Sequence, residues 1–455
     1  MVKSEHSHMQ LQLNILGLVG LFSRGGELQL FQKASTERAP AFSVSNVQPN
    51  VSRSRAAGDD GKSFTPHNLV ERRIFWSAWL EGLSSDVFSV EHEAQWRERA
   101  RDARVMVLEA GCGRTTNRLA TFADGSRACV RYGIDQDQVL GETLSYYLAQ
   151  VLGISNLPPL VLSKLSSEQW SNVRQSIEAL GWSPDAIVSL TEFIPNVTGV
   201  FIPFYLQKQQ LLSAERVSNT TSSYLLELMQ WGDLILFDYL TANFDRIVSH
   251  MFSLQWDARV MERTTNNLLK TISGDLLFID NEAGFVHGYR VLNMWERYHK
   301  VLLSLSCVFR RGTARRISEL ERTRSSARLL NERFRAKEPL WREIGALTDA
   351  HARILNDRIE GVHRHIKQCS ELTHLRRNGA REHADWGLWK PVEMEIKYAV
   401  HPEGGGSVSG KAIPTCRRQT TQEEEMQTRI SCRRVQFEEF INTHEQTHHY
   451  KNNHH

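Results

Sequence analysis

Leu234-Ile235-Leu236-Phe237-Asp238-Tyr239-Leu240-Thr241-Ala242-Asn243-Phe244-Asp245-Arg246 reads as a buried apolar helix that runs into an aspartate. A second apolar run, Leu276-Leu277-Phe278-Ile279, reads as a strand and ends in Asp280-Asn281-Glu282. Two carboxylates at the ends of two buried elements are what phosphoryl transfer requires. One orients or deprotonates a hydroxyl, and the other holds the metal that bridges the phosphates. Each aspartate also has a plainer reading. Asp245 could cap the helix or sit in a turn, with Arg246 as its partner. Asp280-Asn281-Glu282, followed by Gly284, could form an Asx-type turn or a calcium loop.

Upstream of this pair the pattern is that of strands. Val105-Met106-Val107-Leu108 is followed by a turn, Gly111-Cys112-Gly113-Arg114. Leu119-Ala120-Thr121-Phe122 and Ala128-Cys129-Val130-Arg131-Tyr132 flank Ala123-Asp124-Gly125-Ser126, and Asp-Gly between two such runs signals a hairpin. A helix is expected over Gly141 to Leu152, stopped by Gly153. Leu160-Val161-Leu162 and Ala186 to Phe193 again look like strands. Arg131 on the hairpin's return strand and Glu142 at the start of the helix could form a phosphate-gripping ion pair. They could equally be a surface arginine beside a glutamate favoured by the helix dipole.

The remainder is helical in pattern. Val70, Phe75, Trp76, Trp79 and Leu80 recur at helical spacing, as do Val291, Leu292, Met294, Trp295, Tyr298 and Leu302 within 290–308. Residues 315–368 are helical and arginine-rich, interrupted by Pro339. The expected organisation is a disordered stem over 1–67, a β-rich lobe over 68–195, a helical lobe over 196–375 and a disordered tail over 376–455.

The chain has 455 residues, 41% of them hydrophobic, enough for one large two-lobed domain. A net charge of +3 gives no argument for nucleic acid. No run of 18 apolar residues is present, so membrane association would rest on the short Leu11 to Phe22 segment acting as a signal anchor. The cysteines are Cys112, Cys129, Cys307, Cys369, Cys416 and Cys432, with no CxxC pair to suggest structural zinc. Glycosylation sequons begin at Asn50, Asn196 and Asn219. Histidines at His448, His449, His454 and His455 belong to the expected tail.

Four separated motifs together resemble the four-jointed family of Golgi-lumenal kinases. They are Cys129-Val130-Arg131-Tyr132-Gly133, Gly141 to Leu148, Leu240-Thr241-Ala242-Asn243-Phe244-Asp245-Arg246, and Phe278-Ile279-Asp280-Asn281-Glu282-Ala283-Gly284-Phe285. The resemblance implies an α+β, two-lobed atypical kinase-like fold with a β-rich N-lobe and a mainly helical C-lobe. It implies a secretory-pathway serine/threonine kinase that transfers the γ-phosphate of ATP, with Mg²⁺ or Mn²⁺, to cadherin-repeat ectodomains of the Fat and Dachsous type. Such an enzyme tunes planar cell polarity from the Golgi lumen or the extracellular space. By position, Asp245 resembles the catalytic aspartate, Asp280 the metal-binding aspartate, and Glu142 the helix glutamate of the ion pair. Arg131 stands where related kinases have lysine, and Asn281 and Glu282 complete the family triplet without an assigned role.

Cys307, in Ser304 to Arg311, fits the group's half-cystine after a helix. A bond from Cys307 to Cys369 would contribute roughly 4 kcal/mol in the chain-entropy model. Two buried free thiols are the alternative, and a Cα separation well above roughly 7 Å would exclude the bond. Arg131 also keeps open a catalytically silent kinase-fold ligand or scaffold. A kinase for a sugar hydroxyl is a third reading.

Overall fold

The computed structural model describes residues 69–377 except 115, 215, 218 and 219, with side chains as far as Glu371. The stem with its Leu11 to Phe22 segment, the sequons at Asn50 and Asn219, Cys416, Cys432 and the histidine-rich tail lie outside the described residues. The fold is that of one compact unit, which takes in the described residues up to Phe252 and from Arg259. The turn Ser253–Ala258 belongs to a separate unit.

The chain opens with two short paired strands, β1 (Val70–Glu71) and β2 (Phe75–Trp76), then α1 (Ala78–Gly82). The helix expected across Val70 to Leu80 is therefore corrected. Arg72 and Arg73 both take positive φ and turn the chain back. Ser77 caps the helix that follows, its Oγ accepting from the Leu80 amide.

After α2 (Val90–Asp102) come β3 (Val105–Ala110), β4 (Arg118–Phe122) and β5 (Arg127–Arg131). The β4–β5 hairpin turns at Asp124-Gly125 as its sequence indicated, with Gly125 at φ 82° and Asp124 accepting from the Ser126 amide. With β6 (Leu160–Lys164) and β7 (Ile187–Glu192) they form an antiparallel sheet in the order β3-β4-β5-β7-β6. Trp96, Phe122, Val130, Val161, Trp170 and Leu190 fill its core. Helix α3 (Gln136–Leu152) joins β5 to β6. It starts five residues before the expected Gly141, because Asp135 is the cap and accepts from the Gln138 amide. Gly153, at φ 71°, ends it. Glu142 is therefore not a helix-start residue but lies inside α3, 4% exposed.

A short helix α4 (Arg174–Ala179) precedes β7. Beyond it lie β8 (Thr198–Phe201), α5 (Phe204–Gln207), α6 (Ser222–Thr241), α7 (Ile247–Ser253), β9 (Thr264–Lys270) and β10 (Leu276–Phe278). These three strands form a second antiparallel sheet, β10-β9-β8. The rest is helical: α8 (Val286–Arg290), α9 (Leu292–Ser304), α10 (Arg311–Thr323), α11 (Ser326–Lys337), α12 (Trp341–Ile344) and α13 (Asp349–Arg377). The helix expected over 290–308 is α9, with narrower bounds: Val291 leaves helical geometry between α8 and α9, and α9 ends at Ser304.

This is the two-lobed α+β architecture, β-rich first and mainly helical second. The lobes are tied by Glu338, which is fully buried. Its Oε1 accepts from Arg97 Nη2 at 2.7 Å and from the Tyr147 hydroxyl at 2.7 Å, and its Oε2 accepts from the Leu162 amide at 3.1 Å. A carboxylate at this depth is tolerated because it is paired and hydrogen-bonded on both oxygens.

Candidate active site

Helix α6 stops because Ala242 adopts a left-handed conformation, φ 55°. The chain then turns through Asn243, whose Oδ1 accepts from the Asp245 amide at 3.0 Å. Asn267 on β9, also at positive φ, fixes the Asp245 side chain. Its Nδ2 donates to Asp245 Oδ2 at 3.0 Å and to the Asp245 carbonyl at 3.2 Å. Arg246 does not pair with Asp245, contrary to the plainer expectation. It is fully buried and spans the floor of the site. Its Nη1 meets Asp238 at 2.5 Å, its Nη2 donates to Asn281 Oδ1 at 2.5 Å and the Ile279 carbonyl at 2.8 Å, and its Nε donates to the Asn267 carbonyl at 3.1 Å. One guanidinium thus joins the Asp245 turn to the segment that carries Asp280.

Asp280 follows β10 and takes φ 57°, an uncommon conformation for a residue with a Cβ. The next three residues, Asn281–Ala283, form a 3-10 turn rather than a calcium loop. Arg131, at the end of β5, reaches across from the β-rich lobe. Its Nη2 pairs with Asp280, its Nη1 with Glu282, and its Nε stands 3.9 Å from Glu142 Oε2. Arg114, in the loop between β3 and β4, pairs through Nη1 with the other oxygen of Glu282 and lies 3.7 Å from Asp245 through Nη2. Asp245, Arg114, Glu282, Arg131 and Asp280 therefore form one chain of alternating charge where the lobes meet.

Four carboxylates face two guanidiniums here, and burial with this excess of negative charge raises Glu142, Asp245 and Glu282. Burial, helped by Asp280 and Glu282 and opposed by Arg131, raises Glu142 to about 7. Burial and the neighbouring Asp280 raise Asp245 to about 6, against the pull of Arg114. Burial also pushes Glu282 up. For Arg131 burial works against the charge, but Asp280, Glu282 and Glu142 outweigh it and hold the proton more firmly than usual. Glu142 Oε2 is buried with no hydrogen-bond donor, while its Oε1 accepts from Asn281 Nδ2 at 3.4 Å. A cluster of carboxylate oxygens with excess negative charge and an unsatisfied buried oxygen matches what a hard divalent cation takes as ligands.

The structure brings Asp245, Asp280, Arg131 and Glu142 together. Cys307 and Cys369 are bonded, with a Cα separation of 5.5 Å. Asn196 is exposed in a bend just before β8. Sequence reasoning missed Arg114, Asn267 and the Cys112–Cys129 disulfide, whose Cα atoms lie 5.6 Å apart. It named Asn281, Glu282 and Arg246 without finding their work. The available signal was the pair Asn266-Asn267, since asparagine tolerates the left-handed conformation that the Asp245 contact needs.

Residues 91–372 match the family described as "Four-jointed box protein middle domain". A relative from Xiphophorus maculatus, "Four-jointed box protein 1", is 59% identical over 307 residues, 66% of this chain and 72% of the relative. The Drosophila melanogaster "Extracellular serine/threonine protein kinase four-jointed" is 31% identical over 405 residues, 77% of this chain and 68% of that protein. Among solved structures, a Golgi casein kinase with Mn/ADP bound is similar at a TM-score of 0.45 and 16% identity, covering 65% of this chain and 82% of that one. With more than half of the chain inside the family match, and relatives aligned over two thirds or more of their own length, this protein belongs to the four-jointed box family.

Proposed function

We propose that this protein is a secretory-pathway serine/threonine protein kinase using ATP with Mg²⁺ or Mn²⁺. The observation that carries the reading is the proximity of Asp245 and Asp280, which follow two different elements of the helical lobe, beside Arg131 of the β-rich lobe. Asp280, Glu282 and Glu142 supply the oxygens that would hold the divalent cation, which when bound neutralises phosphate charge. Arg131 and Arg114 offer planar forks suited to phosphate oxygens. With its pKa at about 6, Asp245 is mostly ionised at neutral pH and accepts the proton of the acceptor hydroxyl. The acceptor oxygen bonds to the γ-phosphorus as the bond from that phosphorus to the β,γ-bridging oxygen breaks, and ADP leaves.

The acceptors we propose are serine and threonine of cadherin-repeat ectodomains of the Fat and Dachsous type, with planar cell polarity as the process. The Drosophila relative's name as an extracellular kinase supports a lumenal or extracellular setting. So do the two disulfides, which persist in oxidising compartments. A silent kinase-fold ligand or scaffold is the second reading. It is favoured by Arg131 and Arg114, which occupy the same carboxylates a cation would need. A melting experiment separates the two. With Mn²⁺ and ATP at about 100-fold over the dissociation constant, the kinase reading expects a rise of about 2–5 °C that Asp280→Asn abolishes. No rise in the wild type supports the silent reading.

A further inference from the structure

Arg114 sits two positions after Cys112, and Arg131 sits two positions after Cys129. The Cys112–Cys129 disulfide joins the loop between β3 and β4 to β5, so it places the two arginines side by side. Their effect is shared on one carboxylate, with Arg114 on Glu282 Oε1 and Arg131 on Glu282 Oε2. The loop is closed on itself as well. Asn117 Nδ2 donates to the Cys112 carbonyl at 3.1 Å and its amide to the Arg114 carbonyl at 3.0 Å. The two guanidiniums differ in depth. Arg131 is 11% exposed and lies on the Asp280 side, whereas Arg114 is 38% exposed and lies on the Asp245 side.

From this placement, and resting on the kinase reading above, we infer that Arg114 contacts the phosphoryl group in flight and that the Cys112–Cys129 disulfide is its positioning device. Asp245 marks where the acceptor hydroxyl stands, so a cation beside it meets the γ-phosphate rather than the α- or β-phosphate. Charge on the equatorial oxygens of the transferring group is stabilised by such a guanidinium, as by an arginine finger supplied in cis. Two oriented forks also read a polyphosphate more specifically than one. The loop carries glycine on both sides of Cys112, and Cys112 itself takes φ 59°, so the Asn117 hydrogen bonds shape the loop internally while the covalent tie anchors it to β5 and so holds Arg114 over the site.

The test is steady-state kinetics of Arg114→Gln, Arg114→Ala, a Cys112→Ser/Cys129→Ser chain and the combination of the latter with Arg114→Gln. Arg114→Gln is expected to lower kcat about 100-fold or more while KM for ATP changes by less than about threefold, because the contact is made mainly in the transition state. Free guanidinium is expected to restore part of the Arg114→Ala rate. Loss of the disulfide is expected to lower kcat about tenfold in the wild type and little further in Arg114→Gln, since both changes act through one group. Unchanged kcat in Arg114→Gln overturns the inference, and so do multiplying losses in the combined variant. A wild-type chain that neither binds nucleotide nor transfers phosphate overturns instead the kinase reading beneath it.

Discussion

A carboxylate that is to hold a cation must first give up its proton, and Glu142 is the residue where that condition is tightest. Its pKa of about 7 places proton and metal in competition at neutral pH. Because the folded-state value is raised, lowering the pH refills this group with protons and weakens the cation. Mn²⁺ affinity measured by calorimetry is expected to be roughly tenfold weaker at about pH 5.5 than at about pH 7.5. Glu142→Gln should bind Mn²⁺ more weakly and lose most of that pH dependence. Equal affinity at both pH values would remove Glu142 from the metal's ligands. At this scale the sequence showed residue types and positions and the Cys307–Cys369 pairing, but not the pairing of the site's arginines with Asp280 and Glu282. Asp245 and Asp280 stood out because each ends an apolar run. Glu282, which both arginines share, did not stand out because its partners come from the distant turn at Arg114 and the strand end at Arg131.

Elements meet at the site because one of them lacks a side chain. Gly141 of α3 faces the Asp280 segment so closely that a Cβ there would lie 2.8 Å from the Gly284 carbonyl oxygen and 2.9 Å from that of Glu282. Neither backbone atom can swing aside. Gly141→Ala would gain about 1 kcal/mol of helix propensity and lose roughly 1–3 kcal/mol to overpacking, with the loss falling on the segment that holds Glu282. The expected result is a melting temperature lowered by a few degrees and Mn²⁺ affinity reduced at least about tenfold. Unchanged Mn²⁺ affinity would show that α3 and the Asp280 segment are not rigidly coupled. The Gly141-Glu142 pair was visible in the sequence as part of a motif, but its packing role was not, since the neighbour is Glu282-Ala283-Gly284, remote in the chain. Strands β8 and β9 were also illegible. Thr264 to Lys270 contains two asparagines and no clean alternation, and its pairing with β8 shifts register between Gly199 and Phe201.

The whole molecule places a β-rich lobe with one arginine pair against a helical lobe with two aspartates. The buried Glu338 network holds the lobes together behind the site. The Cys307–Cys369 disulfide ties the segment after α9 to the last long helix, α13. This architecture was readable from the switch of hydrophobic period, two in the first lobe and 3.6 in the second. Helix ends were read less well: the Asp135 cap lies five residues before the apolar run it serves, and Val291 breaks the helix through backbone geometry that residue type alone does not display. The measurement that bears most directly on the account is transfer of labelled γ-phosphate from ATP, with Mn²⁺, to a cadherin-repeat ectodomain by the wild-type, Asp245→Asn and Asp280→Asn chains. The wild type is expected to label serine or threonine, and each variant to lose about 100-fold or more of the rate while melting within a few degrees of the wild type. Near-normal transfer by Asp280→Asn would contradict the assignment of this site to metal-assisted phosphoryl transfer.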